Sequence, residues 1–489
     1  MSQYLALDLG AESGRGVLGS LENGRLELSE IHRFANRPVA LPDGLHWNIG
    51  GLYQEILHAI TRGADKAKTL DGIGVDTWGV DYALLDGRGE LLGLPFHYRD
   101  HRTDDVMERV FARVSRQRIF KETGIQFMQF NTLFQLAAAR ERESPLPDAA
   151  ETLLFLPDLF HFWLSGEQRV EFTIATTSQL YNPVARDWSR QMMEPLGIPP
   201  RLFQPVTPPG TIIGRLRKAV ASETGAGAVQ IILPGSHDTA SAVAAAPAAS
   251  DDFVYISSGT WSLIGIELSA PRISAETMEG NFTNEGGVGG TIRFLKNIMG
   301  LWLVQECRRS WARQGREYSY GELAALAEEA PAFACLIDPD DPSFLAPDDM
   351  LSALDAFCRR TAQNLPGEPG AIIRACLEGL AFKYRENVLK LEAIAARSLN
   401  CIHIVGGGVQ NRLLCQFAAS ATGKPVMAGP IEATAAGNIL VQAMARGEIA
   451  SLRELREVVR ASFQVEEFSP IQPDGWMEAY DRFTALKSV

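Results

Sequence analysis

The sequence predicts an α/β fold built from two similar halves, each with a central mixed sheet. Three observations lead to this prediction. The chain has 489 residues, about three times the length of a typical single domain, so at least two hydrophobic cores are expected. Strand-like segments come first and then alternate with helical ones, as in α/β proteins. The opening pattern of strand, polar tip and strand begins again after residue 252.

Three strand-like segments open the first half. The apolar segment YLALDLG and the segment RGVLGSL predict a hairpin with a polar tip, and the alternating RLELSEIHRF predicts a third strand. Residues 52–67 predict a helix because Leu52, Ile56 and Ile60 share one helical face. The segment GIGVDTWGVDYALLD then adds two strand-like stretches around Asp76 and Asp81.

A small, low-complexity segment is predicted to join the two halves. This segment, AVAAAPAASDD at 242–252, contains Pro247 and divides the chain into domains at 1–246 and 247–489. After it, FVYISSGTWSLIGIEL repeats the layout of strand, tip and strand. Residues 372–391 predict an amphipathic helix that leads into the strand and glycine turn IHIVGGG. A duplicated architecture with a cleft between the halves follows.

Composition excludes several classes of partner and location. With 46 Lys and Arg against 59 Asp and Glu, the net charge of -13 repels nucleic acid and anionic lipid, so neither is expected as a partner. No apolar run reaches the roughly 20 residues of a membrane span, and Asp8 falls where a secretory signal would stay apolar, so a cytoplasmic location is expected. The six cysteines form no CxxC pair, which argues against a zinc site or a disulfide framework.

The first tip has the residues of a phosphate site. Gly10 and Gly14 permit positive φ and a close approach of backbone N–H groups to an anion, while Ser13 and Arg15 add a hydroxyl and a planar cation. Asp8, at the end of the strand, is placed to hold Mg²⁺ through water. When the tip is considered alone, an ordinary hairpin turn accounts for the same aspartate and glycine residues without a phosphate.

Two further glycine-containing segments lie in the second half. The tip Ser257-Ser258-Gly259-Thr260 again offers hydroxyls after an apolar strand, and two opposed tips would clamp the β- and γ-phosphates of a nucleotide. Gly406–Gly408 removes every Cβ from one surface, which leaves room for a flat ring or ribose, although a helix-entry turn has the same composition. The Gly406–Gly408 loop lacks the spacing of GxGxxG, and no GxxxxGK[ST] segment occurs in the sequence, so neither a Rossmann fingerprint nor a P-loop is supported.

Residues 234–243, PGSHDTASAV, are the candidate catalytic segment. Asp238 is either the N-cap of a helix or a base that accepts a hydroxyl proton, and the two roles are compatible because a helix N-terminus keeps a carboxylate ionised. His237 is either a ligand of a sugar hydroxyl or a structural residue. The segment DTWGVD at 76–81 has a composition that suits packing against a sugar, and a buried strand end explains the same composition equally well. In HYRDHRT at 97–103, a charged network explains the residues better than zinc does.

Eight sequence blocks, in this order between residues 4 and 445, resemble the FGGY family of carbohydrate kinases. They are DLGAESGR, DTWGVDYALLD, YRDHRT, GSHDTASA, SSGTWSLIG, NEGG, LKNIMGLWLVQ and IVGGGVQN. The resemblance implies two duplicated domains of the actin-like, hexokinase-like (ribonuclease H-like) fold, with ATP in the cleft and closure on the sugar. It implies transfer of the γ-phosphoryl group of ATP to the 1-hydroxyl of L-rhamnulose. The alternatives are a kinase for another ketose or polyol, such as fuculose or xylulose, and an actin-like nucleotide switch without sugar kinase activity.

The resemblance also implies roles for individual residues. The ATP phosphates are lined by Ala11, Glu12, Ser13, Gly14 and Arg15, and the nucleotide is further contacted by Thr260, Gln305 and Gly407. The sugar meets Gly79, His237, Asp238, Thr239 and Asn297, with Asp238 as catalytic base, and Mg²⁺ bridges the phosphates with help from Asp8. Two positions depart from the family: Glu12 must point outward, and Gln135 stands where many members have lysine. A monomer or small homo-oligomer is expected.

Overall fold

The computed structural model describes residues 1–345, 347–471 and 473–486, and strands alternate with helices along most of this length. The strands within the first 245 residues are β1 (Ser2–Leu9), β2 (Ser13–Glu22), β3 (Arg25–Ala35), β4 (Val39–Leu41), β5 (Gly44–His46), β6 (Gly72–Thr77), β7 (Tyr82–Leu85), β8 (Thr152–Phe155), β9 (Val170–Glu171), β10 (Tyr181–Asn182), β11 (Asp187–Trp188), β12 (Val206–Thr207), β13 (Thr211–Arg215) and β14 (Gln230–Leu233). The helices of the same part are α1 (Ile49–Lys66), α2 (Val106–Arg113), α3 (Arg116–Thr123), α4 (Thr132–Glu141), α5 (Leu146–Ala149), α6 (Leu156–Ser165), α7 (Phe172–Ala175), α8 (Arg190–Leu196), α9 (Lys218–Thr224) and α10 (Asp238–Ala244).

The remainder of the chain repeats this alternation. Its strands are β15 (Phe253–Ser258), β16 (Trp261–Leu268), β17 (Thr283–Gly286), β18 (Ile292–Met299), β19 (Cys401–Val405), β20 (Val426–Ala428) and β21 (Glu466–Phe468). Its helices are α11 (Ala275–Glu279), α12 (Trp302–Arg313), α13 (Tyr320–Glu329), α14 (Met350–Arg360), α15 (Pro369–Ala395), α16 (Arg412–Thr422), α17 (Ala433–Ala445), α18 (Leu452–Ser462) and α19 (Pro473–Ala485). None of the described helices combines the length and the apolar character that a membrane-spanning helix needs.

The chain folds into two units, each assembled from three segments. The first unit contains Met1–Ala245, Glu267–Leu295 and Ala433–Ser462, and the second contains Ala246–Ile266, Lys296–Glu432 and Phe463–Val489. The first crossing between units therefore falls inside the segment that the composition predicts as a hinge. That segment begins with the last residues of α10 and is largely buried, because its alanines pack as core residues rather than as a solvated linker.

A six-stranded mixed sheet forms the centre of the first unit. Its strand order is β13-β14-β6-β1-β2-β3. Strands β1 and β2 pair as an antiparallel hairpin, as the sequence predicts, whereas β14, β6 and β1 are parallel neighbours. Because parallel strands place their carboxyl ends at one edge of a sheet, the residues that follow these three strands share that edge. The apolar side chains of Leu5, Leu7, Ile73 and Val75 are fully buried and fix this register.

Helices α10 and α17 pack closely within the first unit. A Cβ built on Gly437 of α17 would lie 1.8 Å from the carbonyl oxygen of Ser241 on α10, so only glycine permits this approach. On the same helix, Gln442 donates a hydrogen bond from Nε2 to the carbonyl oxygen of Leu5, 3.1 Å away. Helix α17 thereby connects residues 433–445 to the first strand of the chain.

A second sheet of seven strands repeats the layout of the first. Its order is β17-β18-β16-β15-β19-β20-β21. The hairpin of β15 and β16 and the parallel neighbour β19 correspond to β1, β2 and β6 of the first sheet. The predicted duplication is therefore present in the strand topology. Helix α15, at Pro369–Ala395, extends beyond the predicted 372–391 at both ends.

Candidate active site

Carboxylates gather where β1, β6 and β14 end. Asp8 on β1 and Asp76 on β6 are register partners in the parallel pair, so their side chains lie on the same face of the sheet. The backbone N–H of Thr77 donates to the carbonyl oxygen of Ser236 at 2.9 Å, which brings the turn after β14 to the end of β6. Asp238 follows in that turn as the first residue of α10. Its charge and that of Asp8 both reach Asp76.

Asp76 is the buried member of this carboxylate group. Its Oδ2 accepts a hydrogen bond of 2.5 Å from Asn438 of α17, while its Oδ1 has no hydrogen-bond partner among the described residues. Burial, and then the negative charge of Asp8, raise the pKa of Asp76 well above its usual range. The charge of Asp238 acts in the same direction, and the hydrogen bond from Asn438 opposes it. The sequence predicted DTWGVD either as a sugar-packing segment or as a buried strand end, and the place of Asp76 beside Asp8 was not predicted.

Arg15 pairs with Asp8 across the first hairpin. Its Nε donates to Oδ2 of Asp8 at 3.1 Å and its Nη2 lies 3.0 Å from the same oxygen. The two residues are register partners in β1 and β2, so the hairpin itself brings them together. The cation expected to line the phosphates is therefore also the counter-ion of the residue expected to hold Mg²⁺.

The glycines of the first tip act differently from the expectation. Neither Gly10 nor Gly14 has a positive φ, so the predicted use of that backbone freedom is wrong. A Cβ on Gly14 would lie 2.3 Å from the ring of Phe34, and this close packing explains the glycine. The backbone N–H of Gly10 closes the tip on the carbonyl oxygen of Ser13 at 2.9 Å. Glu12 and Ser13 are exposed at the tip, while Ala11 is half-buried.

One interpretation of the sequence predicts Asp238 as the N-cap of α10, and this is wrong. His237 occupies the cap position, and Asp238 is the first helical residue. Oδ1 of Asp238 accepts hydrogen bonds from the backbone N–H of Thr239 at 2.5 Å and from its hydroxyl at 3.1 Å. The Asp238 side chain keeps 28% of its surface exposed, so a substrate hydroxyl can reach it.

A buried charged network lies behind His237. Arg293 on β18 is fully buried, and its Nη2 lies 3.0 Å from Nδ1 of His237 and 3.1 Å from Oε2 of Glu285 on β17. Nδ1 of His237 also lies 3.3 Å from Oε2 of Glu285, and its Nε2 lies 3.5 Å from Oδ1 of Asp238. Burial acts to raise the pKa of Glu285, but the charge of Arg293 and the contact with His237 outweigh it and hold that pKa below its usual range.

Glu171 fixes the turn that carries these residues. Its Oε2 accepts hydrogen bonds from the backbone N–H groups of Thr173, Ile174 and Ser236, and from the hydroxyl of Thr173. The Thr173 hydroxyl in turn accepts from the backbone N–H of His237 at 3.1 Å. Glu171 is thus both the cap of α7 and the anchor of the segment before Asp238.

The segment after β6 contains a strained residue next to Gly79. Val80 has a φ of 68°, which is unusual for a β-branched side chain. Its backbone N–H donates to the hydroxyl of Thr177 at 3.1 Å, and its carbonyl oxygen accepts from Thr132 at 2.6 Å. A Cβ on Gly79 would lie 3.2 Å from the Thr177 side chain, so the backbone here is held close to its neighbour.

Asp81 anchors the aromatic part of this segment. Its Oδ2 accepts hydrogen bonds from the indole N–H groups of Trp47 and Trp78, and its Oδ1 accepts from Nε2 of Gln135 at 2.8 Å. Burial raises the pKa of Asp81 to about 6. Oε1 of Gln135 accepts from Arg102, which explains the amide at this position: it bridges an acid and a cation, and a lysine would place two cations together.

The second unit contains the remaining predicted residues. Thr260 lies at the tip between β15 and β16, and Leu301, which precedes α12, donates its backbone N–H to the carbonyl oxygen of Gly259 at 3.0 Å. Oε1 of Gln305 on α12 is buried without a hydrogen-bond partner among the described residues. Asn297 lies half-buried on β18.

The glycine run after β19 leaves an open backbone surface. Gly407 is exposed, and a Cβ built on it would meet nothing within 4 Å. Its neighbours are constrained, because Gly406 has a φ of 86° and a Cβ on Gly408 would lie 2.0 Å from the hydroxyl of Ser258. Gly407 is therefore the position at which a planar group can lie flat against the main chain.

The predicted residues fall into two groups, one in each unit. The first unit brings together Asp8, Arg15, Gly79, His237, Asp238 and Thr239 with the tip Ala11–Gly14. The second holds Thr260, Asn297, Gln305 and Gly407. Four further residues of this region, which the sequence did not predict, are Glu171, Glu285, Arg293 and Asn438. Only Glu285 carried a signal, because it lies in the block NEGG.

The two similar mixed sheets, with carboxylates at the strand ends of the first, form a two-domain α/β fold of the actin-like class. The chain belongs to the FGGY family of carbohydrate kinases: the model of the N-terminal domain of that family matches residues 3–245, and the model of its C-terminal domain matches residues 254–446. The protein is therefore a sugar kinase that uses ATP.

Curated relatives cover almost the whole chain. A rhamnulokinase of Bacteroides thetaiotaomicron is 43% identical over 480 residues, which is 98% of this chain and 98% of the relative. A rhamnulokinase of Oceanobacillus iheyensis is 40% identical over 96% of this chain and 99% of its own length. A rhamnulokinase of Bacillus subtilis is 39% identical over 99% of this chain and 97% of its own length.

Solved structures share the fold at low sequence identity. A ligand-bound xylulose kinase from Lactobacillus acidophilus superposes with a TM-score of 0.82 at 15% identity, over 100% of this chain and 98% of that one. Glycerol kinase from Plasmodium falciparum, solved with ADP, gives a TM-score of 0.77 at 15% identity, over 100% and 99% of the two chains. These likenesses establish the fold.

Proposed function

We propose that the protein phosphorylates L-rhamnulose at the hydroxyl of carbon 1, using ATP and giving L-rhamnulose 1-phosphate and ADP, in L-rhamnose catabolism. The observation that carries the choice of sugar is the name shared by full-length relatives at 39–43% identity, which are rhamnulokinases. The proposed place of action is the cytoplasm, and the proposed state is a monomer or small homo-oligomer.

Asp238 is the proposed catalytic base. It accepts the proton of the sugar hydroxyl as that oxygen attacks the γ-phosphorus of ATP in line, and ADP departs with the electron pair of the broken bond. Phosphoryl transfer depends mainly on position and charge, so a weak but well-placed base suffices. The 28% exposure of Asp238 and its hydrogen bonds to Thr239 support this role, because they orient the carboxylate and leave it accessible.

His237, Gly79, Thr239 and Asn297 are the proposed sugar ligands. Nδ1 of His237 lies against Arg293, which leaves its Nε2, 3.5 Å from Oδ1 of Asp238, as the ring nitrogen for a sugar hydroxyl. Gly79 lies beside the strained Val80, and strain of this kind is common where a backbone is held for a ligand.

The nucleotide is assigned to two sets of residues. Ala11, Glu12, Ser13, Gly14 and Arg15 are proposed to meet the phosphates, and Thr260, Gln305 and Gly407 are proposed to meet the rest of the nucleotide. The unpartnered Oε1 of Gln305 and the open surface at Gly407 support the second set.

The carboxylate group fits Mg²⁺, which prefers oxygen ligands. Asp8 is proposed to hold the ion, with the unpartnered Oδ1 of Asp76 nearby. When bound, the ion would neutralise charge on the phosphate oxygens. Both carboxylates stand at strand ends where the backbone is rigid, which suits the strict geometry that this ion demands.

An assay of ADP release over a panel of sugars tests the proposal. We expect turnover to rise at least tenfold with L-rhamnulose over the rate without sugar, and L-rhamnulose to exceed L-fuculose and D-xylulose in kcat/KM. Phosphorus NMR of the product should place the phosphate on carbon 1. A higher kcat/KM with another ketose would replace the sugar, and ATP turnover that ignores every sugar would favour a nucleotide switch.

The variant Asp238→Asn tests the base within the same assay. The amide keeps the size and the acceptor for Thr239 but cannot take a proton, so kcat should fall by about 10²- to 10⁴-fold while ATP affinity stays nearly unchanged. Near-normal turnover by this variant would remove Asp238 from the mechanism.

A further inference from the structure

A group of three metal-ligand side chains lies in the first unit, on elements that carry none of the active-site side chains. It consists of His32 on β3 with Glu55 and His58 on α1, and their ligand atoms all lie within 4.8 Å of one another. We propose that this group, here called the His–Glu–His site, binds one divalent transition-metal ion of the zinc type. Among the described residues no other group of three His, Cys, Asp or Glu side chains meets this distance.

A β-bulge turns His32 towards α1. In the pairing of β2 with β3, Gly16 faces His32 and Val17 faces Glu30, so Ile31 is an extra residue. Both Ile31 and His32 consequently point to the side of the sheet where α1 packs, which two successive residues of a regular strand cannot do. Ile31 lies 3.5 Å from a Cβ built on Gly63 of α1, and His32 bonds to Glu55 of the same helix.

Helix α1 supplies the other two ligands at a spacing that suits a metal. Glu55 and His58 are three positions apart, so both project from one face of the helix. The Glu-x-x-His spacing is the one that helical metal sites use to present a carboxylate and an imidazole together. Helix α1 continues to Lys66, well past His58, so the backbone under both ligands is regular.

The distances allow coordination after small side-chain movements. Nε2 of His32 lies 2.5 Å from Oε2 of Glu55, and Nδ1 of His58 lies 3.6 Å from the same oxygen. Ligand atoms around a tetrahedral zinc ion are about 3.4 Å apart. The His32–Glu55 hydrogen bond must therefore open by about 1 Å. His58, with 66% of its side chain exposed, can rotate freely to complete the site.

The donor set selects the class of metal. Two imidazole nitrogens and one carboxylate oxygen suit Zn²⁺ and similar borderline ions, whereas Mg²⁺ prefers oxygen ligands alone. The side chain of His32 is only 10% exposed and lies 5.4 Å from the ring of Phe34, so one ligand is pre-positioned. The exposed side of His58 leaves room for water in the remaining coordination positions.

A bound ion would join the edge of the sheet to the helix that covers it. Strand β3 is the last strand of the six-stranded sheet, and it contacts α1 through Ile31 and His32. An ion that binds only the folded arrangement stabilises it by mass action. We therefore expect Zn²⁺ to raise the thermal unfolding midpoint of the protein.

Titration calorimetry with Zn²⁺ alone as the added probe tests the site. The full-length protein is held in excess Mg²⁺, so that the active-site carboxylates are not the binding groups. We expect one equivalent of Zn²⁺ to bind, and His58→Ala and Glu55→Gln to bind it at least about tenfold more weakly. His101→Ala is the matched control, since His101 is 90% exposed and is paired with an acid three positions away, yet belongs to no such group.

The spectrum of the Co²⁺-loaded protein excludes a second explanation. The thiol sulfurs of Cys335 and Cys358 lie 3.3 Å apart, so zinc could bind there instead. Cobalt held by thiolates shows an intense near-ultraviolet charge-transfer band, which the His–Glu–His site cannot produce. The proposal is overturned if that band accompanies the bound equivalent, if His58→Ala binds as tightly as the unchanged protein, or if no Zn²⁺ binds. Kinase activity of His58→Ala should be unchanged, so these outcomes are independent of the proposed function.

Discussion

Glu285 and Arg293 contact His237, and their part in the site could not be predicted from the sequence. Neither is placed to touch the sugar in the proposed mechanism, but together they set the hydrogen-bonding state of His237. A buried ion pair is costly when one partner is removed, because the other charge is left without compensation. The pair therefore acts as a positioning device for His237 and, through it, for Asp238.

Glu285→Gln tests that positioning. The uncompensated Arg293 would shift His237, so kcat should fall by about 10- to 100-fold while the KM for ATP stays within about twofold. Glu285→Asp should recover part of the loss, because it restores the charge at a shorter reach. The matched control is Glu279→Gln on α11, an exposed residue whose replacement should leave both constants unchanged. Equal kinetics for the unchanged protein and Glu285→Gln would contradict the positioning role.

At the level of elements, short helices and their caps hold the site. Helix α7 has four residues, too few for stability on its own, and Glu171 holds its first turn and the turn before α10 at once. Because this carboxyl is fully buried, desolvation raises its pKa to about 7 despite its hydrogen bonds. The same side chain therefore makes part of the stability depend on pH.

The sign of that dependence follows from the raised pKa of Glu171. The ordinary pKa of a glutamate is about 4.5, and below that pH the stability that Glu171 contributes to the fold is fully present. This stability is lost as the pH rises through about 7, the pKa of Glu171 in the folded protein. Glu171→Gln does not titrate, so its urea midpoint relative to the unchanged protein should rise between about pH 5 and about pH 8. Glu194→Gln, at an exposed position, should show a constant difference. A difference for Glu171→Gln that falls with pH would contradict the assignment.

The close packing of α10 on α17 makes a second prediction for elements. Gly437→Ala places a methyl group 1.8 Å from the carbonyl oxygen of Ser241, so the helices must move apart. We expect a loss of about 1–3 kcal/mol in stability and a lower kcat, because α10 carries Asp238. Gly321→Ala, in α13 with nothing within 4 Å, should be neutral or slightly stabilising. Thermal melting compares the two, and an unchanged midpoint for Gly437→Ala would refute the packing argument.

The whole molecule is not a simple succession of two independent segments. The first unit includes Ala433–Ser462, so α17 packs with β1 and β6, although the N-terminal family model ends at residue 245. Asn438 and Gln442 of this helix bond to Asp76 and to the backbone of Leu5. A boundary drawn at 246 therefore separates groups that contact one another in the first unit.

A fragment of residues 1–246 should not fold cooperatively alone. It lacks α17 and would expose apolar residues of β1 and β6 that are otherwise buried. Near-ultraviolet circular dichroism should show little fixed aromatic packing, and heating should give no sharp transition. The full chain is the reference, and co-expression with 247–489 should restore the signal. A sharp, reversible transition for the fragment by itself would contradict this account.

The local features of this protein could be predicted from its amino-acid sequence. Two hairpins, the helices around 52–67 and 372–391 and the turn before Asp238 were predicted, because each depends on residues close together in the chain. The positive φ predicted for Gly10 and Gly14 is absent, and the ring that crowds Gly14 belongs to another strand. The strand that contains Asp76 was predicted, but the contacts of its side chain were not, because its partner Asn438 lies 362 positions away in the chain.

Sequence alone determined the order of strands, tips and helices, and through its blocks the family, because apolar periodicity and turn residues act over short distances. Tertiary structure alone decided which side chains meet: Asp8 with Asp76, Arg293 with His237, and His32 with Glu55 and His58. The physical reason is that strand register, a bulge and the packing of distant helices set these contacts, and none of the three is encoded in the spacing of neighbouring residues.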